Sequence, residues 1–293
     1  MADIITEHRN ENTINIDLIP TIDIIHKINN EDKLVAQAVG KESEHIAKAV
    51  DIISKQFLEG GRMIYFGAGT SGRLGVLDAS ECPPTFGVDS DMVQGVIAGG
   101  YNALRNAIEG AEDNFQAGYD DAHILNGKDV AVVISASGNP KYLTGVLAYA
   151  EELKCETIGI TCNPDGLFNK KVNTLICVKV GAEVIAGSSR LKAGTAQKMV
   201  LNMLSTGSMI KIGKTYENFM IDLNASNEKL KNRAVKIVSE IAGVNETTAL
   251  DTLKKTNWKV KPAIVSIIKN INIDDAYEEL KKHNGVLRRV LAN

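Results

Sequence analysis

Five short runs of apolar, mostly β-branched residues recur along the first two thirds of the chain without the alternation of a half-exposed strand. They are Met63–Phe66, Val93–Ile97, Val130–Ile134, Thr157–Thr161 and Leu175–Val178. Strands buried on both faces have this pattern, which is typical of a parallel sheet. Helical spacing separates them, most clearly at Leu143, Val146, Leu147, Ala150 and Leu153. The alternation predicts an α/β fold with a doubly wound, five-stranded parallel sheet.

Helical patterns also flank the sheet region. Residues 30–59 have apolar residues at helical intervals up to Gly60 and Gly61, which predicts an N-terminal helix. A long helix is expected over Leu191–Lys211. Beyond residue 226 the pattern predicts a small helical bundle with no strand, made of four short amphipathic helices: Ala234–Ile241, Thr248–Leu253, Ala263–Ile268 and Ala276–Leu280.

Glycine use and charge both change near Ser226. Of the 25 glycines only Gly243 and Gly285 come later, and residues 226–293 hold ten Lys, three Arg and eight Asp or Glu, a net charge of +5. The 293-residue chain carries −3, which leaves about −8 on residues 1–225. The coincident changes predict two domains, 1–225 and 226–293.

Composition excludes several classes of protein. Nearly balanced charge and 5% aromatic residues argue against a nucleic-acid partner, and no apolar run reaches the roughly 20 residues of a membrane span. Met1–Asn10 has charges and no apolar core, so we expect no signal peptide and a cytoplasmic protein. The cysteines lack the spacing of a zinc site; they are Cys82, Cys155, Cys162 and Cys177.

The first strand is followed by Gly67–Arg73, which matches the dinucleotide pattern GxGxxG. A dinucleotide site requires an acidic residue after the next strand. The strand Val93–Ile97 is followed instead by Ala98, Gly99 and Gly100. The loop instead offers the hydroxyls of Thr70 and Ser71 at a predicted helix start. It suits a phosphate monoester, although a simple capped turn remains an alternative.

Two further helix starts are rich in hydroxyl groups. Ser135, Ser137 and Gly138 follow the third strand, and the segment 187–190, with Ser188 and Ser189, precedes the long helix. Loops at the carboxyl ends of parallel strands meet at one edge of the sheet. Together they predict a crevice that surrounds a phosphate with neutral donors and helix N-termini.

Two glutamates stand out as candidate acids or bases. Glu81 precedes Pro83 and Pro84, and this proline pair predicts an extended, loop-like backbone there. Glu112 follows Gly110 in a second loop. Metal binding by Glu109, Glu112 and Asp113 is the competing interpretation, and we reject it because no histidine lies near them in sequence.

These motifs carry a resemblance to a known family. Gly67–Arg73 and Ser135–Gly138 resemble the phosphosugar loops of the sugar isomerase (SIS) superfamily. Residues 67–86, 108–114 and 181–208 resemble the N-acetylmuramic acid 6-phosphate etherases in that superfamily. The similarity extends from about Ile5 to Leu291 and includes a small, ubiquitin-associated-like helical subdomain at the C-terminus.

The resemblance implies a lyase that releases D-lactate from N-acetylmuramic acid 6-phosphate during recycling of cell-wall sugars, with no metal or nucleotide cofactor. It implies Glu81 as the proton donor to the leaving lactate and Glu112 as the base at C2. It implies phosphate contacts at Thr70, Ser71, Ser135, Ser137 and Gly138, with Gly69, Ser188 and Ser189 as further candidates for substrate contact.

The chain departs from the family in one loop. The family commonly has Arg-Thr-Pro after the second Ser-Gly, whereas this chain has Asn139, Pro140 and Lys141. A hydroxyl and a guanidinium group are therefore missing, and Lys141 is a candidate replacement. The resemblance also implies a homodimer, because larger relatives join two such domains in one chain.

Two other functions remain open from the sequence. An aldose–ketose isomerase on the same fold would also remove the C2 proton, but would return it to C1. A regulatory protein that senses sugar phosphates, like the vertebrate glucokinase regulatory protein, would not be an enzyme. That protein is about twice as long and has two such domains, which disfavours the second alternative.

Overall fold

The computed structural model describes residues 4–292, and its central feature is a five-stranded parallel sheet. The strands are β1 (Met63–Gly67), β2 (Val93–Ile97), β3 (Val130–Ile134), β4 (Glu156–Thr161) and β5 (Thr174–Cys177). The five predicted strands are confirmed within one residue at each end. Every residue of β1 and β3 is buried, which explains their continuous apolar sequence. The expectation that Met1–Asn10 is not a signal peptide concerns in part residues 1–3, which lie outside the described range.

The strand order places a reversal of the chain between β1 and β3. The order is β2-β1-β3-β4-β5, so the chain leaves β1 for a strand on one side and then returns to a strand on the other. Gly67 at the end of β1 lies opposite Ile134 at the end of β3. Open parallel sheets bind ligands at such a reversal, beyond the carboxyl ends of the strands.

Six α-helices of the described chain accompany the sheet. They are α1 (Thr21–Gly40), α2 (Ser43–Leu58), α3 (Gly69–Phe86), α4 (Phe115–Asp121), α5 (Lys141–Glu152) and α6 (Lys192–Lys211). The helices predicted around Leu143–Leu153 and over Leu191–Lys211 are confirmed as α5 and α6.

The prediction of one helix over residues 30–59 is wrong. Two helices meet there, and the first begins at Thr21. The break follows Gly40, because glycine is a poor helix former and the Ser43 hydroxyl donates a 2.7 Å hydrogen bond to the Gly40 carbonyl. The apolar spacing continues across the break, so it concealed the end of α1.

A buried polar network joins β1, α3 and α6. The Tyr65 hydroxyl donates to Asp78 Oδ2 at 2.8 Å, and Asn202 Nδ2 donates to Asp78 Oδ1 at 2.6 Å. Asp78 is only 6% exposed, and these donors satisfy its carboxylate. The network therefore fixes α3 and α6 relative to β1.

The described residues form two compact units. The first contains the residues up to Ser80 together with Asp91–Gly207, and the second contains Glu81–Ser90 together with the residues from Ser208 on. The second unit has a short hairpin, β6 (Thr215–Tyr216) and β7 (Phe219–Met220). Its helices are α7 (Glu228–Ala242), α8 (Glu246–Lys255), α9 (Val260–Lys269), α10 (Ile273–Lys282) and α11 (Leu287–Leu291).

The second unit has its own apolar core, which includes Ala234, Val238 and Ile264. The four predicted tail helices lie within α7–α10, and the described chain from 226 to 292 contains no strand. The five-residue helix α11 was not predicted, because it is too short for a periodic pattern. The ubiquitin-associated-like label and the boundary near Ser226 stay predictions.

Within residues 4–292, no helix combines the length and the apolar character that crossing a membrane requires.

Candidate active site

The first hydroxyl-rich loop is a tight turn from β1 into α3. A Cβ atom on Gly72 would lie 2.6 Å from the Gly67 carbonyl oxygen, so the close approach of the two backbone segments requires glycine. Helix α3 begins at Gly69, which places Thr70 and Ser71 in its first turn. The N–H groups of a first helical turn have no partner within the helix and attract anions.

The second loop connects β3 to α5 and is closed by its own hydrogen bonds. The Gly138 N–H donates to Ser135 Oγ at 3.1 Å, and the Asn139 N–H donates to Ser137 Oγ at 3.3 Å. Each serine oxygen thus accepts from the backbone. The two hydroxyl oxygens also lie 3.4 Å apart, so one serine can donate its proton to the other. Gly138 has φ +73°, and a Cβ there would lie 2.8 Å from the Gly166 Cα, so its contribution is the shape of the loop.

The loop also explains how this chain uses Asn139. Its Oδ1 accepts a 3.2 Å hydrogen bond from the Leu167 N–H, which ties the serine loop to the segment after β4. Pro140 precedes α5, and Lys141 is the exposed first residue of that helix. Asn139 therefore serves the conformation of the loop, and phosphate contact by Lys141 stays a prediction.

The structure brings the three loops to one region of the first unit. The first two follow the paired ends of β1 and β3. The third precedes α6, whose first turn lies beside the first loop: a Cβ on Gly194 would be 3.5 Å from Thr70 Cγ2. Ser188 and Ser189, both partly buried, lie between this helix and Gly187, whose N–H donates to the Thr6 carbonyl at 2.9 Å.

The start of α6 differs from the other two helix starts. The buried Glu183 carboxylate accepts the backbone N–H groups of Lys192 and Ala193, both at 2.9 Å. Burial raises the pKa of Glu183, and these two hydrogen bonds act in the opposite direction. The N–H groups of Lys192 and Ala193 are therefore already used, so a phosphate cannot bind them, and the third loop offers its hydroxyls.

Lys192 is also unavailable to a substrate. It is 2% exposed, and its Nζ lies 2.5 Å from Glu31 Oε2. Burial favours a raised pKa of Glu31, but the hydrogen bonds from Lys192 and Asn12 outweigh it and hold the pKa below its ordinary value. Glu31 and Glu183, which the sequence reasoning missed, thus form a buried charge cluster with Lys192 behind the third loop.

Glu81 lies in the C-terminal half of α3, and the prediction of an extended backbone at this residue is wrong. Helix α3 continues through Pro83 and Pro84 and ends at Phe86. The prolines have no N–H groups, so α3 lacks the two hydrogen bonds that these positions would donate to the preceding turn. Glu81 is exposed, and its carboxylate has no hydrogen bond or ion pair with any residue from 4 to 292.

Glu112 lies in the first unit, in a single 3₁₀ turn, Ala111–Asp113, that follows Gly110 at φ +71°. It is exposed and, within the described part of the chain, makes no hydrogen bond or ion pair. The preceding segment is held by Arg73, which donates from Nε to the Leu104 carbonyl at 3.0 Å and from Nη2 to the Asn106 carbonyl at 3.1 Å. Arg73 therefore supports the chain that leads to Glu112.

No group of three or more His, Cys, Asp or Glu side chains among residues 4–292 could hold a metal ion.

One residue beside the first loop is not among the site residues predicted from the sequence. Gln197, on α6, is 1% exposed, and its Oε1 accepts a 3.0 Å hydrogen bond from Ser71 Oγ. The two residues are 126 positions apart. No local signal in the sequence could have identified this pair.

Comparison with protein-family models gives two matches. Residues 45–151 match the N-terminal SIS domain of glucokinase regulatory protein, and residues 217–287 match the C-terminal lid domain of the same protein. The first match includes β1, β2, β3 and the first two hydroxyl-rich loops, and the second covers most of the tail helices.

Among solved structures, a phosphoheptose isomerase from Neisseria gonorrhoeae has a TM-score of 0.50 at 16% identity, over 64% of this chain and 98% of its own. This similarity shows a shared fold. Two N-acetylmuramic acid 6-phosphate etherases are similar over nearly their whole length. The Clostridium botulinum protein is 53% identical over 97% of this chain and 95% of its own, and the Cronobacter sakazakii protein is 48% identical over 99% of both. The chain therefore belongs to the N-acetylmuramic acid 6-phosphate etherase family.

Proposed function

We propose that this protein cleaves the D-lactyl ether of N-acetylmuramic acid 6-phosphate and yields N-acetylglucosamine 6-phosphate and D-lactate. The main support for this proposal is the 53% sequence identity to an etherase over nearly the whole length of both chains. The geometry is compatible with it, since hydroxyl-rich loops follow β1 and β3 at the reversal of the sheet, where a sugar phosphate would bind.

The phosphate would be bound by neutral groups. We assign it to the hydroxyls of Thr70 and Ser71 and to those of Ser135 and Ser137, with Gly138 shaping the second loop. Gly69, at the start of α3, would contribute to the anion-binding end of that helix. Ser188 and Ser189 would contact the substrate from the third loop.

The chemistry needs two carboxyl groups, because an ether is inert and lactate is a poor leaving group. Opening of the sugar ring makes the C2 proton acidic, as it is then adjacent to an aldehyde. Glu112 would remove that proton, the C3–O bond would break, and Glu81 would protonate the departing lactate oxygen. This elimination leaves a C2=C3 double bond conjugated with the aldehyde.

The second half of the reaction adds water. Glu81, now ionised, would take a proton from water as its oxygen attacks C3, and C2 would regain a proton from Glu112. Two carboxyl groups in opposite protonation states exchange roles in this cycle, as general acid–base catalysis requires. The exposed side chains of Glu81 and Glu112 support this assignment, because neither makes a hydrogen bond or ion pair with any residue from 4 to 292.

A sensing function without catalysis is the second candidate, and the two matches to domains of glucokinase regulatory protein favour it. It predicts binding of a sugar phosphate without turnover. An aldose–ketose isomerase would instead release no lactate and would convert an aldose phosphate into a ketose phosphate.

The test is D-lactate release from N-acetylmuramic acid 6-phosphate by the full chain, measured with a coupled D-lactate dehydrogenase assay. The unphosphorylated sugar is the matched control, because it keeps the ether and removes the phosphate. We expect stoichiometric lactate and N-acetylglucosamine 6-phosphate from the phosphorylated substrate alone. Binding without any lactate would contradict the lyase and support the sensor.

We further propose a cytoplasmic homodimer that acts in the recycling of cell-wall sugars, with the basic region from Ser226 as a separate module. The family resemblance supports the dimer, and light scattering of the purified chain tests it. A mass close to that of the 31.6 kDa monomer would contradict it.

A further inference from the structure

Gln197 is an unusual residue for its position. It lies on α6 among Ala193, Gly194 and Ala196, small residues that let this end of the helix approach the first loop. Ala193, Gly194 and Ala196 are buried, and Gln197 itself is 1% exposed. A polar side chain at such a position needs a partner for each of its polar atoms.

Only one half of the Gln197 amide has a partner. Its Oε1 accepts from Ser71 Oγ at 3.0 Å, whereas its buried Nε2 has no hydrogen-bond partner among residues 4–292. An amide nitrogen carries two donors, so both are unsatisfied in this arrangement. The protein therefore leaves an unused donor beside a residue assigned to phosphate binding.

This arrangement also conflicts with phosphate binding by Ser71. A serine hydroxyl has one proton, and a phosphate dianion accepts hydrogen bonds. While Ser71 donates its proton to Gln197 Oε1, its oxygen can offer the phosphate only lone pairs. Rotation of the amide by 180° about Cγ–Cδ exchanges Oε1 and Nε2, so that Nε2 donates to Ser71 Oγ and the Ser71 proton is released for the phosphate.

We propose that Gln197 is a positioning residue with two amide orientations, and that it turns its Nε2 toward Ser71 Oγ when a sugar phosphate binds. The inference rests on the proposed role of Ser71. Without ligand, Gln197 Oε1 accepts a hydrogen bond from the Ser71 hydroxyl and keeps this hydroxyl turned away from the phosphate position. With ligand, one Nε2 proton gains Ser71 Oγ as its partner, Oε1 gives up its hydrogen bond from Ser71, and the Ser71 hydroxyl gains a phosphate oxygen.

The test is a double-substitution cycle between Gln197 and Ser71. The binding probe is N-acetylglucosamine 6-phosphate, with affinity measured by calorimetry. Gln197→Met removes the hydrogen-bonding amide at similar volume, and we expect a Kd about tenfold higher when Ser71 is present. In a Ser71→Ala background the same change should alter Kd by less than about twofold, because no hydroxyl remains to be oriented. Equal effects in both backgrounds, or none in either, would overturn the proposal.

A second variant guards against a folding defect in Gln197→Met. Gln197→Glu keeps the shape but can only accept the Ser71 proton, so it should raise the KM for the phosphorylated substrate while kcat changes much less. Gln94→Met is the matched control, because Gln94 lies on β2 and its amide donates to the carbonyl of Asp91, which precedes that strand. The Kd of this variant should not change. A fall in kcat at unchanged KM in Gln197→Glu would contradict the positioning role.

The outcome also separates this inference from the proposed activity. Persistent lactate release without coupling between Gln197 and Ser71 would overturn the role of Gln197 alone. Coupling without lactate release would leave that role intact and remove the etherase activity.

Discussion

At the scale of single residues, Glu81 and Glu112 differ from the buried acids, because within residues 4–292 neither side chain makes a hydrogen bond or ion pair. The buried acids of the first unit are all engaged: Glu31 by Lys192, Asp78 by Tyr65 and Asn202, Asp129 by Arg62, and Glu183 by the start of α6. A buried carboxylate that is already hydrogen-bonded within the fold is poorly placed to contact a substrate. Glu81 and Glu112 are not engaged in this way.

Glu81→Gln separates the two proposed proton transfers. Gln cannot protonate the leaving lactate oxygen, so lactate release should fall by about 10²–10⁴-fold. Exchange of the C2 proton with deuterated solvent should continue, because Glu112 remains, and mass spectrometry of the recovered substrate measures it. Glu112→Gln should instead abolish the exchange.

The control for both changes is Glu109→Gln, which removes another exposed carboxylate from the same segment as Glu112. Its lactate release should match that of the unsubstituted protein. Normal turnover in Glu81→Gln would exclude Glu81 from the mechanism.

At the scale of elements, the conformation of the second loop is as important as its hydroxyls. Gly138→Ala would strain a left-handed backbone by about 1–2 kcal/mol and bring a methyl group against the Gly166 backbone. The loop must move to relieve this strain and contact, which should displace the Ser135 and Ser137 hydroxyls and raise the KM for the phosphorylated substrate about tenfold. Steady-state kinetics with thermal unfolding of the same variant measures both effects.

Gly243→Ala is the control for this substitution. Gly243 has φ +65° at the end of α7, and nothing lies within 4 Å of an added Cβ. It should lower the thermal stability by a similar amount through backbone strain and leave KM unchanged. A KM that rises equally in both variants would show that general destabilisation is responsible.

Arg73 is expected to act through the segment before Glu112. Arg73→Lys keeps the charge but cannot reproduce the two hydrogen bonds to the Leu104 and Asn106 carbonyls. Lactate release and C2 exchange should fall together, by about tenfold, while the affinity for N-acetylglucosamine 6-phosphate is retained. An unchanged exchange rate would show that Glu112 does not depend on this support.

The elements also show what the sequence can predict. The strands were predictable because burial on both faces leaves a continuous apolar run, as in Val130–Ile134. The break after Gly40 was not, because the apolar period continues through it. The helical backbone at Pro83 was missed because a local preference was overridden near a helix end. The Glu183 cap and the Ser71–Gln197 pair depend on distant contacts, which no local pattern encodes.

At the scale of the whole molecule, the buried pair of Glu31 and Lys192 predicts an acid-sensitive contribution to stability. The pKa of Glu31 lies below its ordinary value of 4.5 in the folded protein. Its contribution is therefore complete above pH 4.5 and is lost as the pH falls through the folded-state pKa. Below the folded-state pKa, Glu31 is protonated and its ion pair with Lys192 no longer stabilises the folded protein.

Glu31→Gln should therefore lower the free energy of unfolding by about 3–5 kcal/mol at pH 7, since it leaves Lys192 buried without its counter-charge. Urea denaturation at several pH values measures the difference, which should narrow as the pH falls below 4.5. Glu59→Gln is the control, because Glu59 is exposed and lies 4.0 Å from Lys55, and it should change stability by less than about 1 kcal/mol. A difference that stays constant with pH would contradict the assignment.

The second unit is discontinuous in sequence, and this has a consequence for synthesis on the ribosome. Glu81–Ser90 leaves the ribosome 118 residues before Ser208, the next residue of the same unit. At about 5–20 residues per second, that delay lasts roughly 6–24 s. During this time the segment has no native partner within its own unit. A nascent strand pairs through its backbone N–H groups, which Pro83 and Pro84 lack. The prolines would therefore disfavour incorrect strand pairing of Glu81–Ser90 during this delay.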